Sequence, residues 1–216
     1  SIACYSPRAA HVKGDYMSRT VSDFLVQRLK EWGVGRIYGY SGDGINGILA
    51  ALDRADNEPE LIQVRHEETA ALMACGHAKF TGTVGVCLAT QGPGAIHLLN
   101  GLYDAKLDHQ PVLAIVGQVG QKSLGGQYQQ EVDLPNLFKD VAEFVEVVND
   151  PAQMRHLLDR AMRIAMSRRT VTCLIVPHDI QNEDAVADPP REHGSIHSGI
   201  GYEAPLVVPH EDDLQR

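Results

Sequence analysis

Apolar and polar positions alternate in blocks along the chain, and two spacings account for most of them. Val21, Phe24, Leu25 and Leu29 recur at a helical period, with Thr20 placed to cap the segment and Gly33 to stop it after Trp32. Short apolar runs predict strands at 36–40, 60–64, 84–89, 111–117, 144–148 and 171–176. Amphipathic or alanine-rich stretches predict helices at 44–52, 67–80, 94–108, 134–138 and 151–167. The run PVLAIVG at 111–117 is apolar throughout, as in a strand buried on both faces of a parallel sheet. Six strands separated by helices predict a three-layer α/β/α sandwich around a six-stranded, mostly parallel sheet.

The pattern also sets the domain limits. Residues 1–18 show no sustained period and are expected to form an N-terminal arm. Residues 19–188 carry the alternating pattern, and 189–216, rich in proline and glycine, are expected to be a linker toward an absent central domain. The closing EDDLQR resembles the first turn of a further helix.

Composition then narrows the classes. The 216 residues include 28 acidic and 19 basic side chains, a formal net charge of −9, with no Lys/Arg run to meet a phosphate backbone. Nucleic acid is therefore not an expected partner. No apolar run approaches the roughly 18 residues of a membrane helix, so no integral membrane segment is expected. Four scattered cysteines, Cys4, Cys75, Cys87 and Cys173, form no CxxC pair, which suits a reducing, cytoplasmic setting. Cys75 and Cys87 fall within predicted elements and are expected as small core residues.

Several motifs carry candidate chemistry. Gly42-Asp43-Gly44-Ile45-Asn46-Gly47 fits G-x-G-x-x-G between a strand and a helix, so an NADP-binding oxidoreductase domain, with Arg65 toward a 2′-phosphate, is one alternative. The same turn is a near miss to the G-x-S-x-G nucleophile elbow, with Asp43 at the fifth position and His178 as a late histidine. Arg65-His66-Glu67-Glu68 stands where α/β sheets place ligand groups; Glu68 suits the positive end of a helix dipole. His66 and His77 lack the H-E-x-x-H spacing, and no metal ligand is assigned. Gln91-Gly92-Pro93-Gly94 permits close approach of a flat ligand or makes a tight turn.

In order along the chain, GVGRIYGYSGDGINGILAAL, VRHEETAALMACGHAKFTG, GVCLATQGPGAIHLLNGLYDAKLDHQPVLAIVGQV and QQEVDLPNLFKDVAEF resemble the N-terminal pyrimidine-binding domain of thiamine diphosphate enzymes. The resemblance is to the pyruvate oxidase and acetolactate synthase group and runs over about 19–176. It implies that Glu67 is the catalytic glutamate that hydrogen-bonds the N1′ nitrogen of the aminopyrimidine. Shielding from water disfavours its charged form, which suits it to share a proton with a ring nitrogen. Ser41, Gly42, Thr90, Gly94 and His97 match cofactor-binding positions, and Gln130 matches a glutamine of the substrate pocket, preceded here by Gln129 where the group carries phenylalanine. Gly42-Asp43-Gly44 repeats the opening of these enzymes' magnesium signature but lacks the following Asn-Asn, so Asp43 is not assigned to metal.

The resemblance further implies a cofactor shared with an absent domain, magnesium and, as an option within the group, FAD in the intact enzyme, and a small 2-oxo acid as substrate. The enzyme would decarboxylate and oxidise its substrate or join carbon skeletons, and the isolated chain would be inactive. It also implies a homo-oligomer, dimer or tetramer, joined through a small-residue face at Ala70, Ala71, Ala74 and Ala78. A catalytically silent scaffold of the same fold is the remaining alternative.

Overall fold

The computed structural model describes residues 19–188, 199–205 and 207–215. The expected arm, Cys4 and the first part of the expected linker lie outside the described residues. Six strands, β1 (Arg36–Gly39), β2 (Glu60–Gln63), β3 (Gly85–Ala89), β4 (Val112–Gln118), β5 (Phe144–Val147) and β6 (Val171–Pro177), form one sheet in the order β2-β1-β3-β4-β6-β5. All five pairings are parallel, with Tyr38 opposite Cys87 and Ala114 opposite Cys173. The expected fold class therefore holds, with the sheet parallel throughout.

Local chemistry sets the helix ends. In α1 (Val21–Glu31), Thr20 Oγ1 accepts from Asp23 N at 3.2 Å while Asp23 Oδ2 accepts from Thr20 N at 2.9 Å. Such a reciprocal cap satisfies two amides that would otherwise lack partners. Gly33, at φ +81°, ends the segment, as its position in the sequence foretold. The helix α2 (Asn46–Arg54) starts later than expected, because Asp43–Ile45 forms a separate tight turn. The helix α3 (Glu67–Thr81) is capped by His66 and closed by Gly82 in the left-handed region, φ +73°.

One predicted helix is divided. The stretch 94–108 forms α4 (Pro93–His97) and α5 (Leu99–Leu107), parted where Leu98 N donates to Ala95 O at 3.3 Å in a tightened turn. Beyond the turn, α5 lies so close to α3 that a Cβ on Gly101 would stand 2.5 Å from Leu72 N. The remaining helices are α6 (Leu134–Phe138), α7 (Met154–Arg168), α8 (His178–Gln181) and α9 (Glu211–Leu214). The last is the helical turn that EDDLQR suggested.

Strand alternation divides the core in two. Val86, Leu88, Leu113, Ile115, Leu174 and Val176 face α1, α2 and α7. Cys87, Ala89, Ala114, Val116, Cys173 and Ile175 face α3, α5 and α6. Small residues dominate the second face, which lets α3 approach until a Cβ on Gly85 would lie 2.0 Å from Ala74 O. This corrects the expected association face: Ala70, Ala71, Ala74 and Ala78 are fully buried against the sheet. Cys75 and Cys87 are buried as expected, and burial pushes both thiols up to about 12. Among the described residues, no helix is long and apolar enough to cross a membrane.

Candidate active site

The chain passes from β1 outward to β2 and then returns to place β3 on the other side of β1. At such a reversal the segments leaving the strand ends diverge, and parallel sheets form ligand crevices there. Three segments meet at this end of the sheet: the turn after β1, the start of α3 after β2, and the turn after β3. Their meeting point is Thr90, which is 8% exposed. A Cβ on Gly42 would lie 2.6 Å from Thr90 Cβ, and one on Gly94 would lie 2.8 Å from Thr90 Cγ2. Both glycines are therefore required by close packing around one side chain.

Glu67 opens α3 with only 7% of its surface exposed. Its Oε2 lies 2.9 Å from Nδ1 of His97, the last residue of α4. Its Oε1 stands 3.1 Å from the point where a Cβ on Gly94 would be, and no donor among the described residues reaches it. The carboxyl group is thus held by one oxygen and open at the other, beside a residue with no side chain. His66 stacks on His97 with ring centroids 4.4 Å apart and planes 26° apart. Its Nδ1 accepts from Glu68 N at 3.3 Å.

The sequence-predicted residues fall into two groups. Gly42, Glu67, Thr90, Gly94 and His97 are brought together. Ser41 is exposed at the rim, and Gln130 joins the cluster through Gly92, whose Cβ would lie 2.6 Å from Gln130 O. Both residues of that contact have positive φ, +58° for Gly92 and +66° for Gln130. Glu68 sits in the first turn of α3 as expected, where its Oε1 accepts from Asn100 Nδ2 at 3.0 Å.

Sequence reasoning missed two contributors. Gln91, 6% exposed, accepts from the Thr90 hydroxyl at 2.9 Å and fills the space over Gly44. Glu131 folds the loop that carries Gln130, its carboxylate accepting from Gly125 N at 2.7 Å and Tyr128 N at 3.0 Å. Both lie inside stretches that the sequence reading names, but without a role there, since their partners come from contacts the sequence does not show.

The glycine-rich turn is not built for a dinucleotide. Gly44 N–H already donates to Asp43 Oδ1 at 2.9 Å and Thr90 Oγ1 at 3.1 Å. A Cβ on Gly44 would fall 1.2 Å from Gln91 Oε1, and one on Gly47 would fall 2.8 Å from Gln181 Cβ. These glycines serve packing inside the chain, and the amides of Gly44, Ile45 and Asn46 already donate within it, which argues against the NADP alternative.

Comparison with known proteins gives a consistent picture. The family described as "Thiamine pyrophosphate enzyme, N-terminal TPP binding domain" matches residues 19–137. The chain is 45% identical over 171 residues to the protein YdaP of Bacillus subtilis, covering 79% of this chain and 30% of the relative. It is 37% identical over 191 residues to a pyruvate oxidase of Lactiplantibacillus plantarum, covering 88% and 30% respectively. An acetolactate synthase of Arthrospira platensis is 39% identical over 181 residues, with 82% and 31% covered. The chain thus spans about a third of the length of each of these relatives.

Proposed function

The chain belongs to the thiamine pyrophosphate (thiamine diphosphate) enzymes, as their N-terminal binding domain, and on that premise we propose that Glu67 holds the aminopyrimidine ring of the cofactor in an enzyme of small 2-oxo acids. The observation that carries this is the state of the Glu67 carboxyl group: buried, fixed at Oε2 by His97, and open at Oε1 beside Gly94. A flat heterocycle with a ring nitrogen fits that arrangement, because Gly94 leaves its approach clear and Oε1 is free to share one proton with that nitrogen. The names of two relatives, a pyruvate oxidase and an acetolactate synthase, support a pyruvate-like substrate.

When bound, the thiazolium ring of the cofactor supplies the electron sink for decarboxylation. This chain's residues supply orientation and one proton position. Glu67 shares a proton with the ring nitrogen, at a site screened from bulk water. His97 restrains Glu67 so that Oε1 keeps facing the ring. Thr90 holds the Gly42–Gly44 turn by accepting from Gly44 N, which fixes the wall opposite Glu67. Ser41 contributes at the rim, and Gln130, pressed on Gly92, faces the substrate end. No residue of this chain is assigned to the diphosphate, to magnesium or to FAD, and the isolated 216-residue chain is expected to turn over no substrate.

We assign self-association to the outer face of α3 and α5. Leu72, Met73 and Phe80 of α3, with Tyr103 and Leu107 of α5, are exposed, Phe80 to 94%. Apolar side chains grouped this way favour burial against a second copy in a two-fold dimer.

The test is exchange of the thiazolium carbon proton for deuterium in the enzyme carrying this domain. Glu67→Gln keeps size but cannot exchange a proton with the ring, and the expected loss is on the order of a hundred- to ten-thousand-fold. Glu68→Gln should leave exchange unchanged. Slowed exchange in Glu68→Gln with normal exchange in Glu67→Gln would refute the assignment.

A further inference from the structure

We propose that His66, Glu67 and His97 form a binding site for a divalent transition-metal ion of the zinc type, exclusive with the aminopyrimidine. Among the described residues these three form the one grouping of histidine, cysteine and carboxylate ligands whose donor atoms all lie within 4.8 Å of one another. The set is two imidazoles and one carboxylate, the three-ligand composition of open zinc sites that keep a fourth position for water. A carboxyl group buried beside two accessible imidazoles combines a fixed oxygen donor with a route in. The His66 and His97 side chains are 48% and 41% exposed.

The geometry states what binding must change. Zinc bonds of about 2.0–2.1 Å bring ligand atoms to about 3.4 Å from one another. Glu67 Oε2 and His97 Nδ1 are already at 2.9 Å, so an ion replaces the hydrogen between them with a small spreading of the pair. The stack of His66 on His97 has to open, since two nearly parallel rings cannot both aim a lone pair at one ion. His66 Nδ1 is engaged by Glu68 N, which leaves Nε2 as the nitrogen it presents. Imidazole ligands select zinc and copper over magnesium, which demands oxygen ligands. Magnesium accompanying a diphosphate would therefore leave this site alone.

An ion bonded to Glu67 Oε2 and the two imidazoles ties up the carboxyl group that the aminopyrimidine would share its proton with. Binding of metal and of aminopyrimidine must then weaken each other by the same factor. The metal site stands on its own residues; only the exclusion rests on the proposed cofactor role of Glu67.

The experiment is calorimetric titration of the full 216-residue chain, freed of metal by chelation, with zinc chloride and separately with magnesium chloride. One zinc per chain and no heat from magnesium are expected. His66→Ala and His97→Ala should each weaken zinc by at least the roughly ten- to hundred-fold that a lesser change around a metal costs. In the wild-type chain, imidazole NMR signals of His66 and His97 should move with zinc while those of His77 stay, a readout independent of any variant's folding. Absent zinc binding, unchanged affinity in both variants, or movement of other histidines alone would overturn the site. Zinc affinity unaltered by thiamine diphosphate that does bind would overturn the exclusion. Failure of the cofactor assignment would instead show in the enzyme carrying this domain, as thiazolium proton exchange left unchanged by Glu67→Gln, with the zinc result still decisive here.

Discussion

Glu67 Oε2 and His97 Nδ1 meet at 2.9 Å although the two residues are 30 positions apart and arrive on different helices. The contact converts a carboxylate at a helix start into a group with one oxygen committed and one available. Its removal tests orientation separately from proton transfer. In the enzyme that carries this domain, His97→Ala should slow deuterium exchange at the thiazolium carbon by less than the hundred- to ten-thousand-fold expected on losing the acid–base group itself. His97→Asn, which can still donate to a carboxylate, should recover part of the loss. Equal damage from His97→Ala and Glu67→Gln would mean that His97 does more than hold its partner.

The packing between sheet and α3 gives a pair of glycine substitutions with opposite signs. A Cβ at Gly85 would stand 2.0 Å from Ala74 O, a backbone atom that cannot swing aside, so Gly85→Ala should destabilise by about 1–3 kcal/mol or more. Gly76, in the middle of α3, has nothing within 4 Å of an added Cβ. Gly76→Ala should stabilise by about 0.5–1 kcal/mol through helix propensity alone. Urea denaturation of the two variants beside the wild type reads both shifts.

Much of the architecture was legible because it rests on short-range chemistry. Thr20 and Gly33 mark helix ends by the conformations and caps they favour, and the run at 111–117 declares a doubly buried strand. The places that were misread depend on contacts distant in sequence. The division at Leu98 accompanies a close approach of α5 to α3 at Gly101, a contact distant in sequence. The alanines of α3 were expected at the surface because small residues suit either a helix contact or a sheet contact, and only the cysteines and alanines of β3, β4 and β6 decide between them. In the site, Glu67 and Gly94 were visible from their motifs. The stack of His66 on His97 and the loop folded around Glu131 were not, since each needs partners from another strand end or from across a turn.

The outer face of α3 carries Leu72, Met73, Gly76 and Phe80 at helical spacing, the apolar members exposed. If that face meets a second copy, Phe80→Glu combined with Leu72→Glu should shift sedimentation at high concentration toward monomer while leaving the thermal melt of the monomer near its original value. Charges at the dimer face oppose burial, whereas both positions already tolerate water. Unaltered sedimentation would place the contact elsewhere.

Tyr38, 7% exposed, ties α3 to β1 through a histidine whose charge state matters. Its hydroxyl lies 3.1 Å from His77 Nδ1, and His77 Nε2 lies 3.2 Å from Thr83 Oγ1. Burial, with repulsion from Arg36, lowers the pKa of His77 below its ordinary 6.5. A base whose folded pKa is lowered stays neutral in the native chain while the unfolded chain is already taking up the proton. Its contribution is therefore fully present above about pH 6.5 and is lost as pH falls from there through the folded value. His156, lowered by burial and by Arg160, acts in the same direction. Carboxylates held low by partners, such as Asp104 beside Cys75 and Lys79, lose their contribution only in a more acidic window, because their ordinary value is 3.8. Urea midpoints measured between pH 5 and 7.5 should fall toward the acid end. His77→Gln should flatten part of that slope and His156→Gln another part, with their joint variant flatter than either. A slope that is the same in all four proteins would show that neither histidine is held neutral by the fold.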